Sequence, residues 1–183
     1  DSNAKILFVD RELYDVASEA LSIASVSPKI VLINDSFASS APDVSADILD
    51  YESLIENGDP LYNWTMPSDE WSPLSLSYTS GTTGKPKGVV YHHRGSYLMS
   101  MGTVVGWNLP NHPIYLYSVP LFHCNGWGHA WTMAALAGTV VCLRSFDPEK
   151  VFALLDEYRV THFGGAPIML NMLANAPKGI KKS

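Results

Sequence analysis

The chain has 183 residues and a net charge of −6, with 46% apolar and 16% charged residues. This composition is too apolar for a disordered chain and suits a folded domain with a full core. No apolar run reaches the roughly 18 residues of a membrane span, and a pI of about 5.4 without a dense basic stripe argues against nucleic acid as a partner.

The first predicted elements form a β-α-β unit. An apolar run at 6–9 is predicted as a buried strand, Asp10 takes the N-cap position, and apolar residues at helical spacing follow to Ala24. Pro28 is expected to stop this helix before a second strand at 30–33. A β-α-β unit implies a parallel sheet.

The next segment, residues 34–73, is rich in Ser, Asp and Pro. We expect a surface excursion with a short helix around 47–56. The alternation of strands and helices then resumes and continues to residue 175, with a helix start at Asp147-Pro148. Predicted strands are 74–78, 89–91, 114–119, 139–143 and 160–163, and predicted helices are 94–105, 126–137, 148–158 and 167–175. The predicted fold class is therefore α/β, a mainly parallel sheet with flanking helices.

Charge is distributed unevenly along the chain. Residues 1–77 carry a net charge of −11, and residues 78–183 carry +5. Two interpretations stay open: the first part is a solvated acidic surface, or the second part faces an anion.

The cysteine content and the N-terminus bear on location. Two cysteines, Cys124 and Cys142, are too few for a disulfide framework, and the N-terminal residues lack a signal-peptide layout. We expect a cytoplasmic protein, with a peroxisomal address at a natural C-terminus not excluded.

A glycine-rich loop at 78–88, YTSGTTGKPKG, joins a predicted strand to a further strand and helix. Its glycines permit unusual backbone angles, its hydroxyls donate to phosphate oxygens, and its backbone N–H groups form an anion nest. The alternative is a polar surface turn. The loop is not a Walker A motif, because Pro86 follows Lys85, and no G-x-G-x-x-G fingerprint occurs. Candidate phosphate-binding residues are Thr79, Ser80, Gly81, Thr82, Thr83, Gly84 and Lys87.

A second group of polar residues follows the predicted strand at 114–119, in the stretch PLFHCNGW. His123 is either a packed side chain or a catalytic one. A zinc site with Cys124 and His129 matches no common spacing. Cys124 is a poor nucleophile candidate, because adjacent residues on extended backbone point to opposite faces and His123 would not reach it as a base.

The glycine loop resembles the signature loop of the AMP-forming, adenylate-forming superfamily, which includes acyl-CoA synthetases, luciferases and peptide-synthetase adenylation domains. In that family the loop holds ATP phosphates. The residues 93–95, 123–127 and 164–167 are similar to those of medium-chain and methylthiopropionate acyl-CoA ligases and of plant acyl-activating enzymes.

The resemblance implies functional roles for these segments. Lys87 and His123 would be catalytic, with His123 beside the substrate carboxylate. The implied acyl pocket comprises His123, Asn125, Trp127, Gly164, Gly165 and Ala166, with Trp131 as a further wall; for Trp127 and Trp131 an ordinary core position is the alternative. The substrates would be a small carboxylic acid, ATP with Mg, and coenzyme A. No metal ligands are expected in this chain, and Mg would reach Thr79 or Thr83 through ATP.

Several family segments are not found in this sequence. They are the Tyr-Gly-x-Thr-Glu segment, the Thr-Gly-Asp segment that grips ribose, and the C-terminal lid with its lysine. We expect residues 1–183 to be part of a large N-terminal domain, inactive alone, from an AMP-forming carboxylate–CoA ligase. The alternatives are a non-catalytic nucleotide- or phosphate-binding module and a phosphotransferase. Oligomeric state is not predicted.

Overall fold

The computed structural model describes residues 2–38, 48–81 and 84–180. The chain divides into two compact units, Asp1–Thr65 and Met66–Ser183. The boundary between them falls inside the segment predicted as a surface excursion. Within the described ranges, no helix combines the length and apolarity needed to cross a membrane.

The first unit is the predicted β-α-β unit with a short extension. Strand β1 (Ile6–Asp10) pairs in parallel with β2 (Lys29–Ile33), and β2 pairs in parallel with β3 (Leu49–Asp50). Helix α1 (Tyr14–Ala24) lies between β1 and β2, and α2 (Tyr51–Glu56) follows β3.

Both ends of α1 have identifiable local causes. The Asp10 side chain accepts a hydrogen bond from the Glu12 N–H and caps a short 3-10 turn, Arg11–Leu13, so the predicted cap is confirmed. The helix ends at Ala24 because Ser25 adopts a left-handed conformation with φ 53°. Pro28 lies further along, so the expectation that Pro28 stops this helix was wrong.

The second unit begins with an antiparallel hairpin. Strand β4 (Pro73–Thr79) pairs with β5 (Lys87–His92), and β5 runs directly into α3 (His93–Gly106). A second, parallel sheet contains β6 (Ile114–Tyr117), β7 (Thr139–Cys142) and β8 (His162–Phe163), in the order β7-β6-β8.

Further helical segments follow in the described part of this unit. They are α4 (His129–Ala135), α5 (Pro148–Glu157), α6 (Pro167–Ala174) and a 3-10 turn at Lys178–Ile180. Asp147 caps α5 by accepting hydrogen bonds from the N–H groups of Glu149 and Lys150, as the Asp-Pro pair predicts.

Strand β6 divides the core of the second unit into two layers, because successive side chains of a strand point to opposite faces. Tyr115 and Tyr117 pack on one face with Leu109 and Met133. On the other face, Leu116 packs with Val141, Val151 and Leu173. The chain after β6 and the chain after β8 leave the sheet at the same edge, since the two strands are parallel. Residues 118–123 and 164–166 therefore start from neighbouring positions.

The predicted α/β class is confirmed, with parallel pairing in two of the three sheets that the described residues form. Several element boundaries differ from prediction, and two of the differences bear on the candidate site. Strand β6 ends at Tyr117 rather than 119. The helix predicted to begin at 126 begins at His129, because all five residues from Cys124 to Gly128 have positive φ and cannot continue a right-handed helix.

Candidate active site

The glycine loop is the connection of the β4–β5 hairpin. Gly81 has φ 64° and Gly84 has φ 81°, so both use backbone angles that favour glycine. At Gly81 there is a second requirement, because a Cβ there would overlap the Lys85 carbonyl oxygen. Thr82 and Thr83, two of the predicted phosphate-binding residues, lie outside the described residues.

The arms of the hairpin bring several predicted binding residues together. Thr79 is the cross-strand partner of Lys87, and both are exposed. The aliphatic stem of Lys87 passes Gly81, with its Cγ 3.7 Å from where a glycine Cβ would stand. Ser80 is also exposed. The hairpin end thus presents the hydroxyls of Thr79 and Ser80 and the two lysines Lys85 and Lys87 to solvent, which is a donor set suited to an anion.

The segment that carries His123, Asn125 and Trp127 is a left-handed turn. Residues 124–128 have φ between 50° and 68°, and His123, in extended conformation, comes just before them. His123 is exposed, whereas Asn125 and Trp127 are half-buried. A run of left-handed residues costs roughly 1–2 kcal/mol for each residue with a side chain, so contacts with the rest of the unit must hold it.

Hydrogen bonds from two other strands, β6 and β4, help to hold this left-handed turn. The Tyr117 hydroxyl donates to the Gly126 carbonyl over 3.0 Å, and a Cβ at Gly126 would overlap that hydroxyl. The Asn125 amide donates to the Ser75 hydroxyl over 2.9 Å, which joins the turn to β4. The predicted pocket residue Asn125 is thus bonded to the strand that leads into the glycine loop.

The third predicted segment, 164–166, follows β8. The Ser118 hydroxyl donates to the Gly164 carbonyl, and this bond links the segments that follow β6 and β8. A side chain at Gly164 would crowd Trp107 and the Tyr115 hydroxyl, each 3.3 Å from the position of a Cβ. Gly165 is half-buried and Ala166 is exposed at the N-cap of α6.

A buried Tyr115–His129 pair lies behind these segments, and sequence analysis missed its role. Tyr115 is fully buried, His129 is 3% exposed, and a hydrogen bond joins the phenol to Nδ1. The His129 ring contacts Trp107 and Trp127 edge to face, with centroids 5.0 and 5.9 Å away.

Burial governs the ionisation of this pair. Loss of solvation lowers the pKa of His129 and raises the pKa of Tyr115, so both side chains are neutral at physiological pH. In sequence, His129 was considered only as a metal ligand. Its one usable signal was its position six residues after His123, at the start of an apolar helix.

Two cavities adjoin the candidate site. One of about 570 Å³ opens where β6 and β7 end, and its lining includes Phe122, Arg144 and Met169. Another of about 270 Å³ lies between α3 and α4, with Trp131 in its wall. The lining of the larger cavity does not include His123, Trp127 or Gly164.

Metal binding by the protein alone has no support in the described residues. Within 2–38, 48–81 and 84–180, no three His, Cys, Asp or Glu side chains cluster closely enough to hold an ion. A zinc site with His123, Cys124 and His129 is not formed.

Comparison with known proteins gives a consistent result. The sequence model of the family described as "AMP-binding enzyme" matches residues 1–183. The 2-methylpropanoate–CoA ligase CCL4 of Humulus lupulus is 41% identical over 181 residues, covering 96% of this chain and 33% of the relative. The peroxisomal acetate/butyrate–CoA ligase AAE7 of Arabidopsis thaliana is 39% identical, over 97% of this chain and 33% of the relative.

The fold is also shared with solved structures. The luciferase-like enzyme of the nonluminescent mealworm Zophobas morio superposes with a TM-score of 0.75 at 23% identity, over 95% of this chain and 39% of that chain. The chain spans about a third of the length of the curated relatives it matches.

Proposed function

The chain belongs to the family of AMP-binding enzymes, and we propose that it is part of an ATP-dependent, AMP-forming carboxylate–CoA ligase. In the proposed reaction, a carboxylate attacks the α-phosphorus of Mg-ATP to give an acyl-adenylate and pyrophosphate. The thiol of coenzyme A then displaces AMP and forms a thioester. Residues 1–183 would supply part of a large N-terminal domain, and the lid would come from elsewhere in the protein.

The observation that carries this proposal is the hairpin end at 79–87. Gly81 and Gly84 have positive φ, and the exposed Lys87 lies beside Gly81. This arrangement suits the β- and γ-phosphates of ATP, whose charge Lys87 and the loop N–H groups would neutralise. Thr79, Ser80, Thr82 and Thr83 would add hydroxyl donors, and Mg would enter with ATP.

The carboxylic acid would bind at the segment that carries His123, Asn125 and Trp127 and at residues 164–166. His123 would hold the carboxylate and stabilise the charge that develops during attack. Trp127 and the 164–166 backbone would border the acyl group, with Asn125 in the same turn. Two curated relatives carry names of ligases for short aliphatic acids, 2-methylpropanoate and acetate or butyrate. We therefore propose a short apolar carboxylic acid as substrate.

Location is proposed from the same relatives. One is described as peroxisomal, and the other carries no location in its name. We place this protein in the cytoplasm or the peroxisome. Nucleic acid has no part in the proposed function.

The experiment is ATP–pyrophosphate exchange by the full-length protein with a panel of short acids. Lys87→Ala should raise the KM for ATP about tenfold or more, because a charge-assisted phosphate contact worth roughly 1.5–3 kcal/mol is lost. The matched control is Lys150→Ala, an exposed lysine on α5, which should leave the exchange unchanged.

Product analysis separates the alternatives. AMP as the nucleotide product supports the ligase, and ADP would show a phosphotransferase. ATP binding without exchange in any acid would show a phosphate-binding module. The 183-residue chain alone should show negligible exchange, and robust turnover by it would contradict the expected need for the lid.

A further inference from the structure

The left-handed turn at 124–128 contacts the β4–β5 hairpin at two adjacent residues. At the first, the Asn125 Nδ2 group donates to the Ser75 hydroxyl over 2.9 Å, across 50 positions of sequence. Both side chains are half-buried, so water competes less for this bond than it would at the surface.

The second contact lies directly beside the first. Tyr91 on β5 is the cross-strand partner of Ser75. The neighbouring Cys124 side chain is the main cause that raises the pKa of the Tyr91 phenol, which places the two groups beside each other. Two paired residues of the hairpin thus hold two consecutive residues of the turn. We call these two contacts the clasp.

The positions of the clasp residues in the chain give it a functional consequence. Ser75 lies four residues before Thr79, on the strand that enters the glycine loop. Cys124 and Asn125 directly follow His123. The clasp therefore joins the element that carries the phosphate-binding loop to the element that carries the carboxylate-binding histidine.

The backbone of the turn makes the clasp necessary. Cys124, Asn125 and Trp127 have φ of 50°, 52° and 58°, a conformation that side chains disfavour. The Tyr117 hydroxyl holds Gly126 from the β6 side. Among the hydrogen bonds of the described residues, the Asn125–Ser75 bond of the clasp is the one that ties the turn to the hairpin. Without that bond, no hydrogen bond between described residues sets the distance of the turn from the hairpin.

We propose that Asn125 is a positioning residue that, through Ser75, sets the distance between the glycine loop and His123. This inference rests on the proposed function, since it concerns the geometry of carboxylate attack on ATP. It assigns Asn125 a role other than the acyl contact expected from sequence. Displacement of reacting groups by about 1 Å can cost about 100-fold in rate, so a hydrogen bond outside both substrates can control kcat.

The test measures ATP–pyrophosphate exchange by the full-length protein with Asn125→Gly and Ser75→Ala. Glycine keeps the left-handed backbone available while removing the amide, and Ser75→Ala removes the same bond without altering the turn. Each variant should lower kcat about 10- to 100-fold with the KM for ATP and for the acid within about twofold. The double variant should be no worse than the more affected single variant, because both remove one interaction.

Two controls separate positioning from general damage. Ser77→Ala removes a hydroxyl two residues along the same strand, on the same face, and should keep kcat within about twofold. Ser75→Thr retains a hydroxyl and should restore most of the activity that Ser75→Ala loses. Melting temperatures of all variants check that losses of kcat do not follow losses of stability.

Other outcomes overturn the inference in distinguishable ways. A raised KM for the acid or an altered acid preference in Asn125→Gly, with kcat retained, would make Asn125 an acyl contact. Normal kcat in Ser75→Ala, or additive losses in the double variant, would show that the bond does not position the reacting groups. Absence of exchange in the unmodified protein with every acid would instead reject the proposed function, and the positioning role with it.

Discussion

At the scale of single residues, the buried pair of Tyr115 and His129 shows how position alone alters chemistry. A histidine in water is about half protonated near pH 6.5. His129 is 3% exposed and packed against aromatic rings, so the charged form loses its hydration without gaining an anion. Its neutral imidazole pairs with a phenol that burial also keeps neutral. The pair supports Trp127 from one side and Gly164 from the other.

This pair predicts a pH dependence of stability. The pKa of His129 is lower in the folded protein than in the unfolded chain, so below about pH 6.5 the unfolded state binds more protons. Stability is fully present above that pH and is lost as pH falls toward the folded-state pKa. The melting temperature of the unmodified protein should therefore drop more steeply between about pH 7 and pH 5 than the melting temperature of the His129→Gln variant. Parallel curves for the two proteins would show that His129 does not titrate on unfolding.

At the scale of elements, the left-handed turn at 124–128 is the place where the local sequence pattern gave a wrong prediction. Apolar spacing from Trp127 onward predicts a right-handed helix from 126, and α4 does form from His129. The preceding five residues instead have left-handed backbone angles. Residues distant in sequence stabilise them, because the Tyr117 hydroxyl donates to the Gly126 carbonyl and the Ser75 hydroxyl accepts from the Asn125 amide. Two glycines in five residues, Gly126 and Gly128, were the available signal against a helix start at 126.

Substitution of the turn glycine should be costly. Gly126→Ala would introduce a Cβ at φ 60° and against the Tyr117 hydroxyl. Loss of about 2–4 kcal/mol of unfolding free energy is expected from backbone strain and overlap together. The matched control is Gly102→Ala in α3, where a Cβ meets no atom within 4 Å and should stabilise the helix by about 0.5–1 kcal/mol. Urea unfolding of both variants measures the difference, and equal effects would contradict the turn geometry.

At the scale of the whole molecule, the second unit depends on the layers on either side of β6. Leu116 is fully buried at the centre of the strand and packs with Val141, Val151 and Leu173. Its neighbours Tyr115 and Tyr117 build the opposite layer, from which Tyr117 reaches the turn. The positions of the site residues after β6 and β8 thus depend on this central strand.

The burial of Leu116 predicts how much free energy of unfolding is lost when a cavity is created in the core. Leu116→Ala should lower the free energy of unfolding by about 2–5 kcal/mol, because a buried side chain is lost and a cavity remains. Val140→Ala on the neighbouring strand removes a side chain that is 39% exposed and should cost less than about 1 kcal/mol. Chemical denaturation checks both values, and similar costs would show that Leu116 is not central to the core.

The sequence by itself determined the features that depend on neighbours along the chain. The β-α-β unit, the Asp10 and Asp147 caps and the hairpin loop with its glycines follow from local spacing and backbone preference, and the loop carried the family resemblance as well. Tertiary structure decided which distant groups meet: Asn125 with Ser75, His129 with Tyr115, and Ser118 with Gly164. These contacts join residues 14 to 50 positions apart, and packing of the two β6 layers, rather than local pattern, brings such groups within hydrogen-bonding distance.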